Sequence, residues 1–296
     1  MKLQVRHHSV YRYQEAVSTS HHEARLAPRR GEGQTVLSHE TVVSPAPVYT
    51  HERLDFFGNR TLHFHLHHPH KQLDVVATSL VEVLPATPGP DPSPPWEMVR
   101  DRLRADRTPS VREALGFSLD SPLAGAHPEA AAYALGSFSP GRPLLEAVRD
   151  LTSRIHADFR YDPQATEIST PVKEVLSSRA GVCQDFAHLG IACLRAMGLG
   201  ARYVSGYLLT RPPPGKPKLV GADASHAWLG VFVPDAGWFD FDPTNDLEPG
   251  EEHVRVAYGR DFGDVTPLKG VIFGGGPHEV TVAVDVQAVA VGVGGP

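Results

Sequence analysis

Between residues 85 and 95 the chain reads PATPGPDPSPP. No helix and no interior strand can run through such a stretch, because each proline removes a backbone donor and fixes φ at about −65°. The segment divides the 296-residue chain into two parts whose hydrophobic periods differ. Before it, short runs alternate polar and apolar residues, as at Glu40 to Val43, Thr61 to Leu66 and Leu73 to Val83, which is the period of half-buried strands. Asp55-Phe56-Phe57-Gly58-Asn59 supplies Gly and Asn where a reversal needs positive φ, just ahead of the run at Thr61, and predicts a hairpin. Residues 1–85 are therefore expected to form an antiparallel β-sandwich domain.

After the proline-rich segment the spacing becomes helical over Trp96 to Leu115 and over Pro143 to His156, the second opening with a proline at the first turn. Residues 86–140 are expected to be the linker and a helical connection, and residues 141–296 a second domain. In that domain Phe186, Leu189, Ile191, Leu194 and Met197 recur between Gly181 and the pair Gly198 and Gly200, which predicts a buried helix over Val182 to Met197. Ala201 to Leu209, Ala227 to Val233, Trp238 to Asp242 and Glu279 to Val291 have strand composition. The fold class that follows is α+β, and a chain of this length with 41% hydrophobic residues can bury two cores.

A net charge of −6, from 28 basic and 34 acidic residues, leaves no basic excess to neutralise a phosphate backbone, so nucleic acid is not an expected partner. No apolar run reaches the roughly 18 residues of a membrane span. The opening residues KLQVRHHSVYRY lack the apolar run of a signal peptide, and a cytoplasmic location is the expectation. Two cysteines, Cys183 and Cys193, are too few for a disulfide scaffold and read as free thiols.

Cys183 falls at the start of the buried helix, where open backbone N–H groups and the helix dipole favour a thiolate and can face a developing oxyanion. A nucleophilic cysteine also needs a base and a group that orients the base. His226, in Ser225-His226-Ala227-Trp228, and an aspartate of Asp240-Phe241-Asp242-Pro243-Thr244 can supply both if their strands are hairpin neighbours. Asp240 and Asp242 share a face, so alternation does not choose between them.

These residues resemble the bacterial transglutaminase-like proteins. The resemblance rests on Gly181-Val182-Cys183-Gln184-Asp185-Phe186-Ala187-His188, Ala201 to Tyr207, Ser225-His226-Ala227-Trp228, Gly237-Trp238 and Phe241-Asp242-Pro243-Thr244, in that order. It extends over nearly the whole chain, to the Asp55–Asn59 turn and to Tyr258 to Val265 and Pro267 to Gly270. It implies a papain/transglutaminase-like core in which Cys183 is the nucleophile, His226 the base and Asp242 the third member of the triad. The expected activity is a cysteine peptidase or acyltransferase acting on a peptide or protein amide through a thioester, with hydrolysis favoured over amine transfer. No cofactor is expected, and no regular acidic loop suggests calcium.

Gln184, next to the nucleophile, and Trp228, on the face of His226, are candidate substrate contacts, although Gln184 can equally finish the helix end and Trp228 can equally be core. His188 should point away from Cys183 and serve a structural hydrogen bond, and Cys193 should be core. His63, His65, His67, His68 and His70 raise the question of a metal, since strand residues two apart share a face. With no Cys or acidic partner at ligand spacing, a solvated strand face is the simpler reading. The proline-rich Arg211 to Lys218 loop is a candidate flap over the site.

Overall fold

The computed structural model describes residues 1–31, 33–211 and 225–289. The first part of the chain forms β1 (Lys2–Ala24), β2 (Gln34–Ser44), β3 (Tyr49–Leu54), β4 (Arg60–Leu66) and β5 (His70–Val83). After the proline-rich segment come α1 (Trp96–Ala105), α2 (Pro109–Gly116), α3 (Pro128–Ala134), α4 (Leu144–Asp158), β6 (Arg160–Tyr161), α5 (Val172–Ser178), β7 (Ala180–Gly181) and α6 (Cys183–Ala196). The remainder is β8 (Ala201–Leu208), β9 (Ser225–Val233), β10 (Gly237–Phe241), β11 (His253–Gly259), α7 (Phe262–Val265), β12 (Leu268–Gly274) and β13 (His278–Ala288).

β1 organises the first domain. Its first half pairs with β5 on one side and β13 on the other, and its second half with β4 and β12. All of these pairings break at the same level, between Arg12 and Val17 on β1, between β4 and β5, and between β12 and β13, where Gly274, Gly275 and Gly276 all take positive φ. A ladder interrupted on adjacent strands together bends there. The two halves enclose a core of Tyr13, Val17, Phe64, Leu66, Leu73, Val75, Ala77 and Leu268. The expected sandwich is thus two halves of one bent seven-stranded antiparallel sheet. Its strands do not all come from residues 1–85: β12 and β13, assigned from the sequence to the second domain, return to pair with β1. Alternation alone identifies a strand but not its partner.

The Asp55–Asn59 turn joins β3 to β4 as expected, with Gly58 at φ +73° and Asp55 Oδ1 accepting the N–H groups of Phe57 and Asn59, both at 2.9 Å.

The second domain stacks helices on a four-stranded sheet of order β10-β9-β8-β11. Ala227, Leu229 and Val231 of β9 share a core with Phe186, Leu189, Ile191 and Leu194 of α6. Helix and sheet approach closely at Gly190, where a Cβ would stand 2.3 Å from Leu229 Cδ2. The expected 96–115 helix is two helices, α1 and α2, parted at Asp106, whose carboxylate accepts the Thr108 N–H at 2.8 Å ahead of Pro109. Nor are residues 96–134 a mere connection, since Val99, Leu103, Val111, Ala114, Ala130 and Ala134 belong to the same core as α6. Buried Arg195 binds the carbonyls of Phe117, Ala124, Ala201 and Arg260, tying this layer to α6.

The two sheets share a core, in which Leu3, Val5, Val81, Val83, Val284 and Val286 join the side chains of α6, and they also meet at β11, whose outer edge the N-terminal strands cover with side-chain amides. Gln34 exchanges two hydrogen bonds with the backbone of Arg255, both 2.8 Å, and Asn59 exchanges two with Tyr258, at 2.7 and 2.8 Å. Each amide supplies the donor and acceptor that a further strand would supply, so the edge is closed.

Candidate active site

Cys183 is the first residue of α6, and Phe186 N–H closes the first intrahelical bond onto Val182 O at 3.1 Å. The N–H groups ahead of Phe186 are those a helix start leaves without intrahelical partners. Asp185 fixes this turn: its Oδ2 accepts the Val182 N–H at 2.8 Å and the Thr166 hydroxyl at 2.6 Å. Burial raises its pKa, partly offset by these two bonds. Its carboxylate occupies the space a side chain on Gly181 would need, only 2.7 Å from where that Cβ would stand. The absence of a side chain at Gly181 therefore leaves the room this cap needs.

His226 lies near the start of β9, and Asp242 directly follows β10. The hairpin pairs Phe241 with Leu229 and Trp238 with Phe232, bringing the two side chains together. His226 Nε2 donates to Asp242 Oδ2 at 2.6 Å, and Cys183 is close enough to interact electrostatically with the same imidazole. With Nε2 held by Asp242, Nδ1 is the nitrogen left for the thiol. Burial lowers the pKa of His226, but the interactions with Asp242 and Cys183 outweigh burial and raise it to about 10. Asp242 is fully buried; burial pushes its pKa up, and the bonds from His226, His253 and Asn245 more than reverse this, holding it well below the usual carboxylate range.

The two aspartates left open by alternation have different partners. Asp240 Oδ2 accepts from Arg255 Nε at 2.7 Å and from Trp228 Nε1 at 3.2 Å, and its Oδ1 accepts from Arg202 at 3.2 Å. Asp240 is the counter-ion of buried Arg202 and partly buried Arg255, and Asp242 is the partner of His226.

Two residues that sequence reasoning did not pick complete the surroundings of Asp242. Asn245 Nδ2 donates to Asp242 Oδ2 at 2.7 Å, while Oδ1 accepts the N–H groups of Thr244 and Asn245 at 2.9 and 3.2 Å, an Asx turn that the sequence Asp242-Pro243-Thr244-Asn245 could have signalled. His253 Nε2 donates to Asp242 Oδ2 at 3.3 Å from β11, and its buried Nδ1 has no hydrogen-bond partner among the described residues. Nothing local marks His253. It reaches the site because Gly206 of β8 has no side chain and the Trp228 ring crosses over it, meeting His253 edge-on with centroids 5.3 Å apart.

The other candidates are placed as follows. Gln184 Nε2 donates to Ile168 O at 2.9 Å, tethering the segment before α5 beside Cys183. Trp228 is fully buried between Val204 and Tyr258, so it supports His226 from beneath and is out of reach of a substrate. His188 is buried and accepts the Phe262 N–H at 3.1 Å, with burial lowering its pKa to about 4, a structural role as expected. Cys193 is fully buried, its thiol pushed up to about 12. The tip of the proposed flap, residues 212–218, lies outside the described residues. Of the histidine run, His63, His65 and His67 face outward, whereas His70 is buried against Tyr13. No helix among the described residues is long and apolar enough to cross a membrane.

Residues 3–82 match the bacterial transglutaminase-like N-terminal region, and residues 132–243 match the transglutaminase-like superfamily. An uncharacterized protein of Mycobacterium tuberculosis is 42% identical over 295 residues, covering 96% of this chain and 92% of the relative. A second, from Mycobacterium leprae, is 32% identical over 292 residues, covering 98% and 99%. A Pseudomonas aeruginosa protein named protein-glutamine gamma-glutamyltransferase is 29% identical over 128 residues, 37% of this chain and 19% of that protein. Among solved structures, one titled a putative cysteine protease, from Cytophaga hutchinsonii, superposes with TM-score 0.75 at 22% identity, covering 98% of this chain and 91% of that one. The last similarity is one of fold.

Proposed function

The chain belongs to the transglutaminase-like superfamily and carries its bacterial N-terminal region, and from that premise we propose that it is a cysteine-dependent amide acyl-transfer enzyme working as a peptidase or amidase. The observation that carries the reading is the buried His226–Asp242 hydrogen bond beside Cys183 at the start of α6. Cys183 Sγ attacks the carbonyl carbon of a peptide or protein amide, and backbone N–H groups at the α6 start face the oxyanion. The C–N bond breaks as His226 gives its proton to the departing nitrogen, leaving a thioester. Water, deprotonated by His226, then attacks the thioester, releasing a carboxylic acid and restoring the thiol. Asp242 holds the ring so that Nδ1 faces the sulfur and stabilises the imidazolium.

Amine transfer from the same thioester is the second reading, supported by the name of the Pseudomonas aeruginosa relative. Casein carrying a quenched fluorophore, assayed with and without dansylcadaverine, separates the two. Release of fluorescence by the native chain and not by Cys183→Ala supports hydrolysis; dansyl incorporation without cleavage overturns it in favour of transfer. Neither reaction, with Cys183 labelled by iodoacetamide no faster than an ordinary thiol, would point to a non-catalytic binding protein. A cytoplasmic location is part of the proposal, and recovery of the native protein in an envelope or periplasmic fraction would refute it.

A further inference from the structure

We propose that the outward face of β1 and β4 carries a binding site for a divalent transition metal of the zinc class, with His21, His65 and His67 as ligands. The sequence offered only a run of histidines on one strand. The structure adds His21 from the neighbouring strand, in register directly opposite His65, while His67, just past the end of β4, stacks its ring on that of His65 with centroids 6.3 Å apart. The ring centroids of His21 lie 4.3 Å from those of His65 and 5.8 Å from those of His67, and one nitrogen from each of the three rings lies within 4.8 Å of the others. A merely solvated face gives no reason for this alignment, because imidazoles placed directly opposite repel when protonated.

The surroundings define the donor set. Among the described residues no hydrogen bond holds any of these three imidazoles, so their nitrogens are available. His63, on the same face, is 3.3 Å from the Thr61 hydroxyl, and the nearby carboxylate of Glu23 is engaged by Arg25. What remains is three neutral-nitrogen donors with neither thiolate nor carboxylate. Such a set suits Zn²⁺, Cu²⁺ or Ni²⁺ and not the oxygen-seeking Mg²⁺ or Ca²⁺. Nitrogens on one tetrahedral zinc, each about 2.0–2.1 Å from the metal, stand about 3.4 Å apart. The rings need only close by side-chain rotation, which His21 and His67, both exposed, can make freely. Three protein ligands leave the fourth position to water. The bound metal would clasp β1 to β4 beside the bend of the sheet, and this inference does not rest on the proposed activity.

One other cluster, His226, Asp242 and His253, also groups possible ligands, and the test has to separate the two. The full chain is dialysed against Zn²⁺, washed, and its metal counted by mass spectrometry, alongside His65→Ala, the double variant His21→Ala/His67→Ala, His63→Ala, and Cys183→Ala/His253→Ala. The expected result is one zinc per chain, retained by His63→Ala and by Cys183→Ala/His253→Ala. Loss of His65 should weaken it by more than the roughly 10–100-fold that loss of an outer-shell partner causes. Circular dichroism confirms that each variant is folded. No bound zinc in the native chain, zinc retained by folded His65→Ala, or zinc lost from folded Cys183→Ala/His253→Ala would each overturn the proposal.

Discussion

Asn substituted for Asp240 and for Asp242 should produce two different failures, although both carboxylates lie on one short strand segment of the same hairpin. Asp240 is buried between Arg202 and Arg255. Arg202 also stacks on the rings of Tyr258 and Trp238, 3.7 and 4.6 Å from their centroids, so it cannot swing out to water without unpacking them. Asp240→Asn removes the carboxylate that Arg202 and Arg255 share, and breaking a buried pair of this kind costs about 3–5 kcal/mol. An unfolding entropy of about 0.6 kcal/mol per kelvin for a cooperative unit of this size converts that into a fall in Tm of about 5–8 °C. The proposed acyl-transfer chemistry should survive at temperatures where the variant is folded.

Asp242→Asn presents an amide N–H to His226 Nε2. The ring must then turn its tautomer so that Nε2 accepts and Nδ1 carries the proton, and Nδ1–H facing the sulfur cannot take the thiol proton. Loss of general-base assistance costs about 10²–10⁴-fold. Both variants are assayed for release of nitrophenol from p-nitrophenyl acetate, and their Tm is read by calorimetry. A full-rate Asp242→Asn enzyme, or an Asp240→Asn variant that is inactive while still folded, would refute the assignment of roles. An unchanged Tm in Asp240→Asn would refute the buried-pair argument.

His253→Ala removes a hydrogen bond to an ionised carboxylate, worth about 1.5–3 kcal/mol, so turnover of the same ester should fall about 10–100-fold, with His253→Gln recovering part of it. Gly206→Ala puts a Cβ 2.2 Å from Val254 O and 2.4 Å from the Trp228 ring, neither of which can yield; a loss of about 1–3 kcal/mol or more is expected in urea unfolding. Gly181→Ala should displace the Asp185 carboxylate and slow iodoacetamide labelling of Cys183 while leaving far-UV circular dichroism unchanged. His7, His22 and His188 are held by burial at about 4, below the ordinary 6.5. The unfolded chain therefore binds more protons than the folded one between those values, and Tm should drop as pH falls from about 6.5 towards 4. His226 runs the other way: raised from 6.5 to about 10, its contribution is complete below 6.5 and is lost as pH rises towards 10. A Tm flat between pH 7 and 4.5 would contradict the burial of the three histidines.

Local pattern made much of this protein legible. The proline-rich break, the hairpin at Asp55–Asn59, the helix opening at Cys183 and the strands β8, β9 and β10 follow from turn chemistry and periodicity, which involve residues a few positions apart. Cys183 and His226 were readable as candidates for the same reason, since a cysteine at a helix start and a histidine on a following strand are local signals. Everything that depends on which strand lies beside which was decided by the tertiary structure. Period-two alternation identifies β13 but says nothing of its pairing with β1, and it does not mark β12 as a strand at all. It places Asp240 and Asp242 on one face and does not distinguish them; two arginines and two histidines contributed by other strands do. His253 lies on β11, separated from β9 by β8, and enters the site only through the gap that Gly206 leaves. His21 stands 44 positions from His65 in the chain and directly opposite it in the sheet. Distance along the chain carries no information about such neighbours, because the bend and order of a sheet are set by the packing of its whole face.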